Sequence, residues 1–227
     1  MPKTTNYADN LFKLFNTNIA YAGIGDAPGL QPSASPGDLY ISLHTGDPGL
    51  TGSQLVNEAS YTGYGRVAVA RSAAGWTVST NQVTNFANIT FNPCSGGSSL
   101  VTWFGLGTDS AGAGQLLYAF PLIQTYYEFY GDSATDKLFN LSGLAANTPI
   151  QVVTNPGGTL PSALSQGTTY FVKTTSADGF TVSATAGGLL IPLVTTGFGM
   201  LGQESSLAVS PGITPQFLAG QLIISEV

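Results

Sequence analysis

Residues 40–49 read YISLHTGDPG, and they contain the only histidine of the 227-residue chain. Two readings compete. Ser42, His44, Thr45 and Asp47 are residue types of a hydrolytic cluster, but the same letters describe a strand that runs into a turn. In LYISLH, Leu39, Ile41 and Leu43 alternate with Tyr40, Ser42 and His44, the period of a β-strand. GDPG, residues 46–49, then supplies turn chemistry, because proline fixes φ and glycine permits positive φ. A working triad brings nucleophile, base and orienting acid together from separate segments, which neighbours on one strand end do not achieve. We therefore read a strand followed by a turn, with His44 capping the strand or hydrogen-bonding to the loop. A place for His44 at a subunit interface, as a pH-sensitive contact, stays open.

Working outward, the same pattern repeats. RVAVAR (residues 66–71) alternates with Val67 and Val69 inward and an arginine at each end. GWTVST, NITFNP, LVTWFGLG, GQLLYAFPLI and the closing LAGQLIISEV read as further strands. Pro121 marks its strand as an edge or a strand end, since it cannot donate to a ladder. Short strands punctuated by turn clusters indicate an all-β sandwich or barrel. Ahead of them, Leu11, Leu14 and Phe15 fall at helical spacing within Tyr7–Phe15, with Thr4, Thr5 or Asn6 as N-cap. GIGDAPGLQPSASPG (residues 23–37) is a loop or extended arm.

Residues 124–203 differ in texture. They hold their own strands (KLFNLSG, IQVVT, TTYFVKTT, GFTVSAT) joined by NPGG and SADG turns. Removing them lets the flanking sequence read on smoothly, as expected for a domain inserted into a loop of another. The expected organisation is a helix and arm (1–37), a base domain (38–123 with 204–227) and an inserted β domain (124–203) projecting as a knob.

Composition bounds the function. Only 8 % of residues are charged, and the net charge is −6 with six basic residues. A basic patch for nucleic acid is not expected, and no apolar run approaches the roughly 20 residues of a membrane span. The N-terminus lacks the long apolar core of a secretory signal, so a chain made in a cytoplasm is expected. One cysteine, Cys94, cannot form an internal disulfide or a thiolate metal site. So few charges suit a chain that buries much of its surface against neighbours.

Asp26, Asp38, Asp47, Glu58 and Asp109 sit near turns and show no spacing that marks a glycosidase pair or a calcium loop. GLGTDSAGAG (residues 105–114) lacks a Walker lysine and reads as a hairpin loop. Arg66 and Arg71 would pair with Glu58 or another acid, within the chain or across an interface, or simply end a solvated strand. In TYYEFYGD (residues 125–132), Tyr126, Tyr127, Phe129 and Tyr130 would either pack between the domains or offer rings on which sugars stack. No catalytic residue, metal or cofactor is expected.

The blocks YISLHTGDPG, NEASYTGYGRVAVARSAAGWTVSTNQVTN, ITFNPCSGG, VTWFGLGTDSAGAGQLLYAFPLI and SLAVSPGITPQFLAGQLIISE resemble, in that order, a small β-sandwich family of tailed-phage virion proteins. Its members carry labels such as tail fibre protein or virion structural protein, and related head proteins act as capsid decoration or cement. The likeness covers residues 1–123 and 204–227. The insert resembles a β repeat of phage fibres and adhesins, on GTTYFV (residues 167–172) and FTV (residues 180–182). The resemblance implies a virion structural protein that only binds. The first expectation is a cement protein that bridges subunits of the major capsid protein. It would act as a homo-oligomer, a trimer being suited to threefold positions of the capsid, with Leu11, Leu14, Phe15, Arg66 and Arg71 at the interface. The alternative is a tail fibre or baseplate protein whose insert meets a host surface glycan or receptor.

Overall fold

The computed structural model describes residues 4–79, 81–140, 142–154, 158–166 and 168–225; for 123–125 it describes the backbone alone. Gly167 of the expected GTTYFV strand, residues 155–157 of the NPGG turn, and Glu226 and Val227 of the closing strand lie outside the described residues. The protein is all-β with one N-terminal helix. Its elements are α1 (Thr5–Thr17), β1 (Asp38–His44), β2 (Val67–Ala70), β3 (Trp76–Ser79), β4 (Gln82–Asn85), β5 (Ile89–Thr90), β6 (Ser99–Val101), β7 (Trp103–Gly107) and β8 (Leu116–Pro121). Then follow β9 (Ile123–Asp132), β10 (Lys137–Phe139), β11 (Pro149–Val153), β12 (Thr169–Ser176), β13 (Gly179–Ser183) and β14 (Gly197–Glu204). The chain closes with β15 (Leu207–Val209), β16 (Gln216–Phe217) and β17 (Ile223–Ser225). It divides into two compact units, Met1–Phe120 with Ser206–Val227, and Pro121–Ser205.

The first unit, the base, is a set of open sheets. One sheet runs β2-β1-β7-β8, so β8, which ends at Pro121, is an edge strand. After the second unit the chain returns and pairs backwards along what it made before: β15 with β6, β16 with β5, β17 with β4. Asn85 fixes this return. Its side chain donates to Leu218 O at 2.8 Å and accepts from Leu222 N at 2.9 Å. The core between these sheets holds Ile41, Leu43, Trp76, Val83, Phe91, Leu106 and Ile224. Both faces of β1 are buried near its end, Ser42 and His44 included, so the alternation read from LYISLH divides two covered faces rather than core from solvent.

Thr4 caps α1, accepting from Tyr7 N at 3.3 Å, and Asn18 ends the helix in the left-handed region at φ 56°. The inward stripe corrects the expected one. Ala8, Phe12 and Asn16 are buried; Leu11 and Leu14 are half-buried, and Phe15 is exposed. Spacings of four place the first three on one face, and the polar Asn16 hides that stripe from an apolar count. The arm is also not extended. It folds back, with Tyr21 and Leu30 exchanging backbone hydrogen bonds at 2.9 Å, and Asn18 pairing with the backbone of Ser33.

The second unit is a closed barrel of order β10-β13-β12-β11-β14-β9. Its first and last strands are neighbours: β9 and β14 pair from Gly131↔Gly197 to Ile123↔Glu204. Ser205 N donates to Leu122 O at 2.6 Å and completes the junction. Ends that lie side by side are what allow a domain to sit inside a loop. Leu138, Ile150, Val152, Val172, Val182 and Leu201 fill the interior at 0 % exposure. Sequence reading found β10 to β13 and missed β9 and β14, the two strands that close the barrel. β14 contains Gly197, Gly199 and Gly202, which lower strand propensity. A Cβ at Gly197 would stand 2.3 Å from Thr159 O, and one at Gly199 would stand 2.6 Å from Val153 O. The glycines there mark close backbone approach.

Candidate functional site

The His44 region resolves into a sealed structural knot. Nδ1 meets Val56 O at 2.8 Å, a carbonyl that can only accept, so Nδ1 carries the proton. Nε2 then accepts from Ser42 Oγ at 2.8 Å. This is the contact of a serine–histidine dyad, but Ser42 and His44 both have 0 % exposure and no substrate can reach them. Burial pushes the imidazole below its usual 6.5, outweighing the carbonyl and Glu58, and keeps it neutral. Its position also closes off a surface role at a subunit interface. Asp47 accepts from Gly49 N at 2.7 Å and Asp26 from Gly29 N at 2.8 Å, which is turn chemistry. Thr108 N donates to Gln115 O at 3.1 Å across the 105–114 hairpin loop.

Both arginines of RVAVAR are occupied within the chain, and Arg66 takes the expected partner Glu58. Arg66 grips Glu58 with two bonds, Nε–Oε1 at 2.7 Å and Nη2–Oε2 at 2.8 Å. It also donates to Asp109 O at 2.9 Å and Gly112 O at 2.7 Å, pinning the β7–β8 loop. Tyr64 adds a bond to Glu58 at 2.9 Å and receives one from Leu43 N at 3.0 Å. The hydrogen bond to Glu58 holds the guanidinium above its ordinary pKa, and burial holds the Tyr64 phenol far above its own. Arg71 donates to Phe15 O at 2.7 Å and Leu14 O at 3.0 Å, so it supplies the positive charge that α1 lacks in its last turn. It reaches Pro36 O at 2.9 Å as well, tying helix, arm and β2 together. The helix residues Leu14 and Phe15 thus meet Arg71 through their carbonyls.

The aromatic run splits across the barrel wall instead of forming one patch. Phe129 is a core residue at 4 % exposure, and Tyr127 packs partly against the same core. Tyr126 and Tyr130 face outward at 52 % and 50 %. This is strand alternation, with Glu128 exposed between the two tyrosines. Phe129 is therefore unavailable for packing between domains or for stacking on a ligand.

The outer wall gathers aromatics that sequence distance hides. Tyr130 stands opposite Phe198 of β14 and opposite Phe139 of β10. Three rings from three strands thereby form one row. The Tyr130 and Phe139 rings stack at 6.3 Å between centroids, 27° apart, and Phe198 is 47 % exposed. Beside the row lies an open groove of about 520 Å³, lined by Tyr127, Glu128, Phe139, Asn140, Ser142 and Asp178. Lys137 sits 5.8 Å over the Phe139 ring and pairs with Asp178 at 3.1 Å. Hydrogen bonds from Ser176 and Lys137 hold the Asp178 carboxyl below its ordinary range. Phe139 and Phe198 were not singled out from the sequence. Only the register of β9 against both neighbours brings them to Tyr130.

No curated protein matches the chain. A family model described as Podophage GP4 fiber I protein gp80 matches residues 15–135. That stretch runs from the end of α1 through β1 to β8 and on to the turn after β9. It covers more than half of the 227 residues, and the chain belongs to this phage fibre family, among the structural proteins of the virion.

Proposed function

We propose that the protein is a fibre component of a phage tail, that it acts by binding alone, and that its barrel is the part that meets the host. The observation carrying this reading is the outward row of Tyr130, Phe139 and Phe198 on a barrel whose interior is already filled. The barrel does not need those rings for its own core. Exposed aromatics that fold stability does not require point to a partner. The fibre family supports the same placement.

The base has the features of an assembly unit. Its two arginines are engaged within the chain, and it leaves apolar side chains outside: Leu50 fully exposed, Phe86 at 59 % and Leu100 at 55 %. Such a surface suits burial against copies of the chain or a neighbouring virion protein. It also suits the cement reading, in which the neighbour is the major capsid protein. Gold-labelled antibody against the purified chain, viewed on intact particles, separates the two. Label at the tail is the expected result; label over the head surface returns the protein to capsid decoration.

A further inference from the structure

We infer that the outer wall formed by β14, β9 and β10 binds a neutral oligosaccharide of the host cell surface, using the rings of Phe198, Tyr130 and Phe139 as the stacking platform. This rests on the receptor-binding reading of the barrel and names the ligand class.

The geometry is that of a platform. Adjacent strands lie about 4.8 Å apart, so three rings in register span roughly 10 Å across the wall. That length accommodates two linked sugar rings. A sugar presents a face of C–H groups and a rim of hydroxyls. The rings meet the first, and polar groups must meet the second, as in sites where apolar walls carry a few placed hydrogen-bonding groups. The groove supplies them next to Phe139: the Glu128 and Asp178 carboxylates as acceptors, and the side-chain amide of Asn140. Its volume of about 520 Å³ lies within the range of small-molecule sites.

Charge selects among glycans. Glu128 and Asp178 face one cation, Lys137, which is already paired with Asp178. Asp132 is at the end of the same strand as Tyr130, its carboxyl held low by the backbone N–H of Ala134 and the Thr135 hydroxyl. A wall with this balance repels phosphate, sulfate and uronate groups, and the exposed Glu128 carboxylate can accept from hydroxyls. An apolar protein partner fits less well, because the rings alternate with a carboxylate: Glu128 stands between Tyr126 and Tyr130.

The test uses the full chain on an array of neutral and anionic bacterial oligosaccharides, with surface polysaccharide purified from the bacterium the phage infects. Saturable binding to neutral glycans is expected. Tyr130→Ala and Phe198→Ala should each weaken it about tenfold, Tyr130→Phe should keep it, and Phe86→Ala on the base should not change it. Melting temperatures near wild type would show that the outward-facing substitutions leave the barrel folded. Absence of binding to any neutral glycan, equal binding to anionic ones, or binding indifferent to Tyr130→Ala and Phe198→Ala would overturn the inference. Loss of self-association in those variants, without glycan binding by the wild type, would make the wall a contact between copies and overturn it too. Glycan binding by a protein that labels the head would instead overturn the fibre reading and leave this inference standing.

Discussion

The base and the barrel solve the same problem in different ways. Both are built of short strands, whose unpaired edges must be closed. The barrel closes by backbone: six strands return on themselves, and its interior is almost purely apolar. The base does not close. Its two-, three- and four-stranded sheets are joined by side chains, with Arg66 and Glu58 at one seam, Arg71 at another and Asn85 at the chain's return. The contrast shows where few charges are spent. Of six basic residues, two hold the base together and none fills the barrel interior.

The sharpest break of this contrast is Arg66→Ala. It leaves Glu58 buried without its partner and frees the 109–112 loop, and removal of one member of a buried pair costs about 3–5 kcal/mol. Urea denaturation should show that loss, with hydrogen exchange rising in the base and unchanged in Pro121–Ser205. Arg66→Met combined with Glu58→Leu should recover only part of it, because the Tyr64 hydroxyl loses its acceptor and the 109–112 loop loses both bonds that pin it. In the barrel, Leu201→Ala opens a cavity at a fully buried site and should cost about 2–5 kcal/mol, with exchange rising in the barrel alone. A uniform rise across both units would contradict separate cores. Arg71→Ala removes exposed bonds to the end of α1 and should cost about 1 kcal/mol, read as faster exchange in α1 and the arm.

The smallest effect is pH dependence from His44. Its folded-state pKa lies below the unfolded 6.5, so below that value the unfolded chain binds a proton the folded chain does not. The stability from the neutral imidazole is complete above about 6.5 and declines as pH falls. The denaturation midpoint of the wild type should drop through that window, and His44→Gln should drop less steeply. Equal slopes would mean that His44 is not sealed.

Much of the base was legible because its signals are local. Alternation in LYISLH and RVAVAR, proline at 121 and GDPG at 46–49 each act within a few residues. The inward face of α1 was not, since Asn16 is a polar residue in a buried stripe. The split of TYYEFYGD was concealed because four aromatics in sequence look like one patch until strand alternation sends Phe129 inward. The outer aromatic row was least legible. Phe139 and Phe198 come to Tyr130 through pairings with β10 and β14, and a register between distant strands leaves no mark in one sequence.

The most direct measurement of the virion role is stoichiometry in purified particles, as copies of this chain per copy of the major capsid protein by quantitative mass spectrometry. A low ratio, corresponding to one small symmetric set per tail, is the result expected of a fibre component. A ratio approaching one per capsid subunit would contradict it and make the protein a decoration of the head.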